Sequence, residues 1–484
     1  MNAIPINLKS GALVSAVGVF ASAFLWLLGF KVVAYWMGPE GVGLFSQLRQ
    51  IAQAATIGAT FGGTNPVVQG LSERFDGPER LAFRATVSRV MLATGAIVAL
   101  TILAAAPVLT QFFLSSAAPD LIVALRFLAL AVLLSVGATY ALAVLNGYRS
   151  FAYLALAQIA GPAALVALLG VLWLLGLPPA PQLLATAFVF CFGATCIMGA
   201  LGVSRLPGSV KSAAPASLNV AQTRSFISFA LSNMVAALSA SGALLLIRSW
   251  VIEANGLAFA GLFDAGWTLT FNYTTILLTA CSVIYLPLLT AALDSKSQKA
   301  CMLKTAYLVL GASLLVCYSM VLCKEFLINL LYSPQFQDSG QVLMALVIAV
   351  IFRGVSWVYG TMILATRDSR VLLVSDLALN LLLLILVRCV LDNHASLAAL
   401  GWAFVIANFF YLVFVVEYAH CKNKLMHRRL IWPFLALGAL PLFYLALAPE
   451  WLVMGYVGYA KWLCTFVGWM VGIAALRAGF KVPQ

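Results

Sequence analysis

The sequence predicts an all-α polytopic membrane protein, and three observations carry that prediction. Of the 484 residues, 63% are hydrophobic and 9% are charged, where a soluble chain carries about 25% charged residues. Mean hydropathy is +1.03. Apolar runs of about 20 residues, enough to cross a bilayer, recur along the whole chain with short polar turns between them. The formal net charge of +13 would suggest nucleic acid in a soluble chain. Here it sorts by loop, as described below, and no nucleic-acid partner is needed to explain it.

About fourteen transmembrane helices are predicted. The first covers 11–37. Lys9, an apolar run and Ala21-Ser22-Ala23 imitate a secretion signal, but the run continues through Phe24-Leu25-Trp26-Leu27-Leu28 and is read as a span that is not cleaved. Gly38-Pro39-Glu40-Gly41 then predicts a tight turn, because Pro presets one backbone angle and Gly takes the ones other residues avoid. The second span, 44–68, starts at Leu44 and carries Gln47, Arg49, Gln50 and Gln53. Four apolar runs follow at 86–109, 121–145, 152–176 and 182–203. The next pair, 225–252 and 258–289, includes a long second member expected to tilt or break near Pro287. Spans at 303–323, 340–363, 371–391 and 397–417 complete a second set, and 431–448 and 453–476 add a final pair. The longest connections, near 204–224 and 324–339, are too short to fold as domains. The predicted domains are 1–210, a six-helix bundle; 211–424, a second six-helix bundle; and 425–484, an additional helix pair.

Orientation follows from the basic residues, which accumulate in cytoplasmic loops. One set of ends carries Lys9, Arg74, Arg80, Arg84, Arg89, Arg149, Arg205, Lys211, Arg224, Lys296, Lys299, Lys304, Arg367, Arg370, Lys422, Lys424, Arg428, Arg429, Arg477 and Lys481. The opposite loops carry Glu40, Asp120, Glu253, Glu325, Asp338, Asp392 and Glu450, with Lys324 as their basic exception. Both termini are therefore expected in the cytoplasm.

An internal repeat is visible. Gly43-Leu44-Phe45 recurs as Gly261-Leu262-Phe263, each opening an even-numbered span, and behind each lies a span with one cation, Lys31 or Arg248. The turn LNGYRSF (145–151) falls opposite LATRDSR (364–370), and SERFDGPER opposite LDSKSQK. The first twelve spans thus read as two parallel copies, and duplicated bundles of this kind place substrate between the halves and alternate access by rocking.

Charges inside hydrocarbon are expensive and mark candidate pathways. Lys31, Arg49, Arg126, Arg248, Arg353, Arg388 and Lys461 fall inside predicted spans, with Asp264 and Asp376 as the clear acids. Arg126, Arg248 and Arg388 lie near span ends, where a long side chain can snorkel to the interface. Lys31, Arg49, Arg248 and Arg353 are the candidate substrate-binding residues. Asp264 is either a counter-ion to Arg248 or a titrating group for ion coupling. The excess of cations argues for an anionic substrate. Nothing points to catalysis: Gly-Lys never occurs, so there is no phosphate-binding Walker loop, and no loop holds Asp-x-Asp. The nine cysteines lack zinc-ligand spacing, and His394, His420 and His427 are scattered. No metal and no cofactor are expected.

At MGPEGVGLFSQLRQ, LNGYRSFAYLA, the second GLF segment and LLYSPQF (330–336), the chain resembles bacterial polysaccharide flippases of the multidrug/oligosaccharidyl-lipid/polysaccharide (MOP) exporter superfamily. It looks closest to the Wzx-type translocases of O-antigen and enterobacterial common antigen precursors. The resemblance covers roughly residues 10–420 and rests on the order and spacing of short motifs. It implies a MATE/MOP-like fold of two six-helix bundles around a central cavity. It implies an undecaprenyl-diphosphate-linked glycan as substrate, carried from the cytoplasmic to the periplasmic leaflet of the bacterial inner membrane for lipopolysaccharide-type assembly. Lys31 and Arg49 fit the first-hairpin positions that would meet the diphosphate. Other membrane proteins of polysaccharide assembly would be further partners. The final helix pair departs from common-antigen-type relatives and matches the lipid II flippase branch. The alternatives are an ion-coupled multidrug or lipid II-type exporter of the same superfamily, and an integral-membrane polymerase or ligase, for which the chain lacks a large periplasmic loop.

Overall fold

The computed structural model describes residues 8–72, 78–206, 220–272, 295–365, 368–393, 396–423, 428–447 and 457–481, with isolated positions between 274 and 289. The break expected near Pro287, and His394 and His427, lie outside the described residues. The described part is helical, without strands. Eleven of its helices are long and apolar enough to cross a membrane. Two of these contain two legs each. The chain is a multi-pass, all-α membrane protein.

The first element, α1 (Leu8–Ala59), breaks at Gly38, whose φ of 64° and ψ of −160° are open to glycine alone. Pro39 sits at the start of the second leg, where its missing N–H disrupts nothing. The long element α7 (Val220–Trp267) breaks in the same way at Gly256, with φ 82° and ψ 174°. Gly38 precedes Gly43-Leu44-Phe45 by the same interval at which Gly256 precedes Gly261-Leu262-Phe263. The repeat read in the sequence therefore includes the helix break itself.

Between these lie α2 (Thr64–Ser72), α3 (Pro78–Leu114), α4 (Pro119–Gly147), α5 (Phe151–Leu174) and α6 (Pro181–Ser204). The predicted second span, 44–68, does not run through: α1 stops at Ala59, and Phe61, Gly62 and Gly63 all take positive φ before α2 begins. Hydropathy reports an unbroken apolar run there, but it cannot sense a backbone turn made by paired glycines. After α7 come a π-helical turn (Thr268–Asn272), α8 (Ser295–Leu322), α9 (Lys324–Leu331), α10 (Ser339–Ala365), α11 (Ser369–Asp392), α12 (Leu397–Asn423), α13 (Arg428–Leu447) and α14 (Val457–Lys481). The connection near 324–339, expected as a loop, holds α9 and the 3₁₀ turn Pro334–Phe336.

The chain divides into two compact units, Met1–Gly261 and Leu262–Gln484. In unit 1, a buried cluster of Ala59, Val67, Leu71, Phe83, Val87, Met91, Val136, Ala143 and Val144 ties α1 to α4 together, with Tyr140, Tyr148, Val203 and Phe226 packed on its edge. In unit 2, α10 is the most enclosed helix, with Val342, Leu343 and every residue from Ala345 to Phe352 buried. The added helices dock on α8. A Cβ at Gly311 would lie 2.7 Å from the Gly472 carbonyl, one at Gly468 would strike the Tyr318 ring, and one at Gly438 would meet Leu314. The Tyr318 hydroxyl donates to the Gly438 carbonyl at 2.7 Å. Small residues let helix backbones approach closely in lipid, where no hydrophobic force drives helices together.

Candidate functional site

Within unit 1 the second leg of α1 is pinned to α7 at successive levels. At the tip, a Cβ on Gly43 would lie 2.2 Å from the Leu257 carbonyl, and one on Gly261 would lie 1.9 Å from the Pro39 carbonyl. Two backbones cross there with no room for side chains. Further along, the Gln47 amide donates to the Ser249 hydroxyl at 2.9 Å and to the Phe113 carbonyl at 3.0 Å. The Gln50 amide donates to the Ser241 carbonyl and hydroxyl at 3.0 and 2.9 Å. Arg248 Nη1 donates to Gln50 Oε1 at 2.8 Å. At the end of the leg, the Asn233 amide donates to the Gly62 carbonyl at 2.6 Å. Gln47, Gln50 and Arg248 are all buried, and Gln53 is exposed. The glutamines of the second predicted span thus divide: Gln47 and Gln50 bind α7, and Gln53 lies on the exposed side.

The cations of the first hairpin lie over different rings. The Arg49 guanidinium lies 4.7 Å from the Phe30 ring centroid and 5.7 Å from Trp26. Those rings belong to a stack with Phe45 and Phe188. The Lys31 ammonium lies 5.7 Å from the Tyr35 ring. Phe30 and Lys31 are adjacent on one helix, so the two contacts sit about 100° apart around it. A cation over an aromatic face gains from the ring quadrupole, more when water is excluded. Arg248 is not the repeat partner of Lys31: at the spacing that relates Gly38 to Gly256, Lys31 corresponds to Ser249 and Arg248 to Phe30.

Unit 2 holds the other two candidates. Arg353 on α10 lies 5.4 Å from the ring of Tyr411 on α12. The Tyr411 hydroxyl donates to Asp376 Oδ1, on α11, at 2.6 Å. Cation, phenol and carboxylate thus meet across three helices. Tyr411 was missed in the sequence, since nothing in the spacing of 353, 376 and 411 signals a contact. Asp264 is buried in the second leg of α7. Trp267 and Phe271 stack there at 4.2 Å, with Phe404 of α12 at 5.2 Å from Trp267. Arg388, one of the intramembrane cations, pairs with Asp392 one turn on at 3.2 Å, and both are half-exposed. That pairing near the end of α11 fits the snorkelling reading. Lys31, Arg49 and Arg248 fall in unit 1, and Arg353 and Asp264 fall in unit 2.

No protein-family model matches the chain. It is 22% identical over 409 residues to the lipid III flippase of Escherichia coli strain K12, covering 81% of this chain and 94% of that protein. The lipid III flippase of Shigella flexneri matches equally. Among solved structures, an inward-facing multidrug resistance MATE family transporter of the MOP superfamily superposes with a TM-score of 0.69 at 15% identity, over 86% of this chain and 96% of that one. The inward closed form of the lipid II flippase MurJ superposes at 0.64 and 10% identity, over 97% of this chain and 99% of that one. The chain shares the fold of these MATE and MurJ structures. The MurJ match takes in more of the chain than the MATE match, in keeping with the added helix pair. The relatives and structures named here are flippases and transporters.

Proposed function

We propose that the chain is a flippase that moves a polyprenyl-diphosphate-linked oligosaccharide, of the O-antigen or common-antigen kind, from the cytoplasmic to the periplasmic leaflet of the bacterial inner membrane. The observation that carries this reading is the likeness to the lipid III flippase over 409 residues and 94% of that protein's length. The intramembrane cations support it, because a diphosphate needs compensating charge once it leaves water. Lys31, Arg49 and Arg353 are the proposed diphosphate ligands. Arg248 is read as a positioning residue, since Gln50 holds its guanidinium. The domain boundaries 1–210, 211–424 and 425–484 belong to the same proposal, as do cytoplasmic termini. The lipid tail stays in the bilayer while the head group crosses, and the two bundles alternate access. Binding alone gives no net flux, since a ligand shifts populations only by differential affinity. Direction comes from consumption of product outside or from an ion gradient, with Asp264 as the coupling candidate.

The test uses proteoliposomes loaded with a fluorescent undecaprenyl-diphosphate disaccharide. Arg49→Ala is expected to slow translocation at least tenfold while the protein still inserts, and Arg49→Lys less so, because lysine keeps the charge but loses the guanidinium fork. Wild-type flipping no faster than empty vesicles refutes the reading. An ion-coupled multidrug exporter is the second reading, favoured by the MATE-like fold. It predicts dye efflux under a pH gradient and no flipping.

A further inference from the structure

One arginine assigned to the loops by sequence is not at the surface. Arg84, on the second turn of α3, is only 6% exposed. Its Nη2 makes one long contact to the Val203 carbonyl, at 3.5 Å. Its Nε and Nη1 are buried and have no hydrogen-bond acceptor. The guanidinium lies 5.9 Å from the ring of Tyr148, and Arg80 is stacked on that same ring at 3.7 Å. Arg80 Nη2 is anchored to the Gly147 carbonyl at 2.8 Å. The Tyr140 hydroxyl donates to the backbone carbonyl of Arg84 itself at 3.3 Å.

A buried guanidinium with two of its three nitrogens unmatched is strongly unfavourable unless an anion compensates it. The unmatched Nε and Nη1 of Arg84 call for a charged acceptor, and phosphate oxygens match the geometry of a guanidinium. Just beyond Arg84 along α3, Val90, Leu92, Ile97 and Leu100 are exposed. They form an apolar flank on which acyl chains would lie. We propose that Arg84, with Arg80 beside it, is a phosphoryl-binding site for a lipid at the arginine-bearing end of unit 1. The ligand is a phosphate group carried on a hydrocarbon tail, from either a bilayer phospholipid or a polyprenyl phosphate. Neither arginine is among the proposed diphosphate ligands, and the site stands whether or not the chain flips a glycan.

The experiment is native mass spectrometry of the full-length protein in detergent, titrated separately with phosphatidylglycerol, undecaprenyl phosphate and diacylglycerol. A saturable one-to-one adduct is expected with at least one phosphate-bearing lipid and not with diacylglycerol. It should weaken about tenfold in Arg84→Gln, through loss of the charge-assisted fork, and persist in Arg388→Gln, which alters a half-exposed pair outside the proposed binding residues. An adduct with phosphatidylglycerol assigns the site to bilayer headgroups, and one with undecaprenyl phosphate alone assigns it to the carrier. If Arg84→Gln aggregates, Arg84→Lys serves in its place, with a several-fold loss expected. The proposal is overturned if the wild type binds neither lipid or if the adduct is indifferent to residue 84.

Discussion

Replacing Gln50 with Ala removes three hydrogen bonds at once: two donated to Ser241 and one accepted from Arg248. The bond from Arg248 matters most. A hydrogen bond to a charged group contributes about 1.5–3 kcal/mol. With the two bonds to Ser241 lost as well, Gln50→Ala should destabilise unit 1 by roughly 3–4 kcal/mol. Arg248→Met removes the charge along with its need, and should cost only about 1–2 kcal/mol for the orphaned amide oxygen. The double variant should then be less destabilised than the two singles together by about 1–2 kcal/mol, the signature of direct coupling. At about 2–4 °C per kcal/mol for a unit of this size, Gln50→Ala lowers the apparent melting temperature by about 6–16 °C. Thiol-reactive dye unfolding in detergent measures it. Strict additivity of the two substitutions, or a Gln50→Ala protein that melts with the wild type, would falsify the pinning of α1 to α7.

Further outcomes follow from other contacts. Gly468→Val forces a branched side chain into the Tyr318 ring. It should loosen α14 from α8, and limited proteolysis should cut between α13 and α14 several-fold faster than in wild type; an unchanged rate refutes the seam. Asp368, beside Lys422 and Tyr418, has its pKa lowered, chiefly by the hydrogen bond from Lys422. A depressed carboxylate contributes stability that is present above its unfolded value and is lost as pH falls through the folded one. Melting temperature should therefore drop below about pH 4 in wild type and flatten in Asp368→Asn, and parallel profiles count against the clasp. Single cysteines at Asp392 and His427 in a background without native cysteines should label from opposite sides of the membrane. Labelling of both from outside would reverse the charge-based orientation.

Much of this architecture is legible in the residues because lipid forces backbone polar groups into helices. Apolar length then locates spans, and Gly38 and Gly256 announce the breaks. Local chemistry stops there. The end of α1 at Ala59 depends on Asn233 reaching Gly62 from more than a hundred residues away. Gln47 and Gln50 could be recognised as unusual, but their acceptors on α7 could not, since helices bury polar faces against partners chosen by packing. Arg84 has the same sequence signature as Arg89, an exposed arginine on the same helix. Only the convergence of α3, α4 and the end of α6 encloses one and leaves the other outside. Arg353, Asp376 and Tyr411 meet for the same reason, across α10, α11 and α12.

The glycine seam between α8 and α14 sets an order of events during synthesis. Gly311 and Gly472 oppose each other through their backbones, but α14 is made about 150 residues after α8. At about 5–20 residues per second, that face of α8 spends roughly 8–30 s in the bilayer without its final neighbour. Lipid acyl chains or another membrane segment must cover it meanwhile. A growing chain held at this stage would offer bare helix backbone at the Gly311 level to any small-residue helix nearby, so the interval is when unit 2 is most open to mispairing.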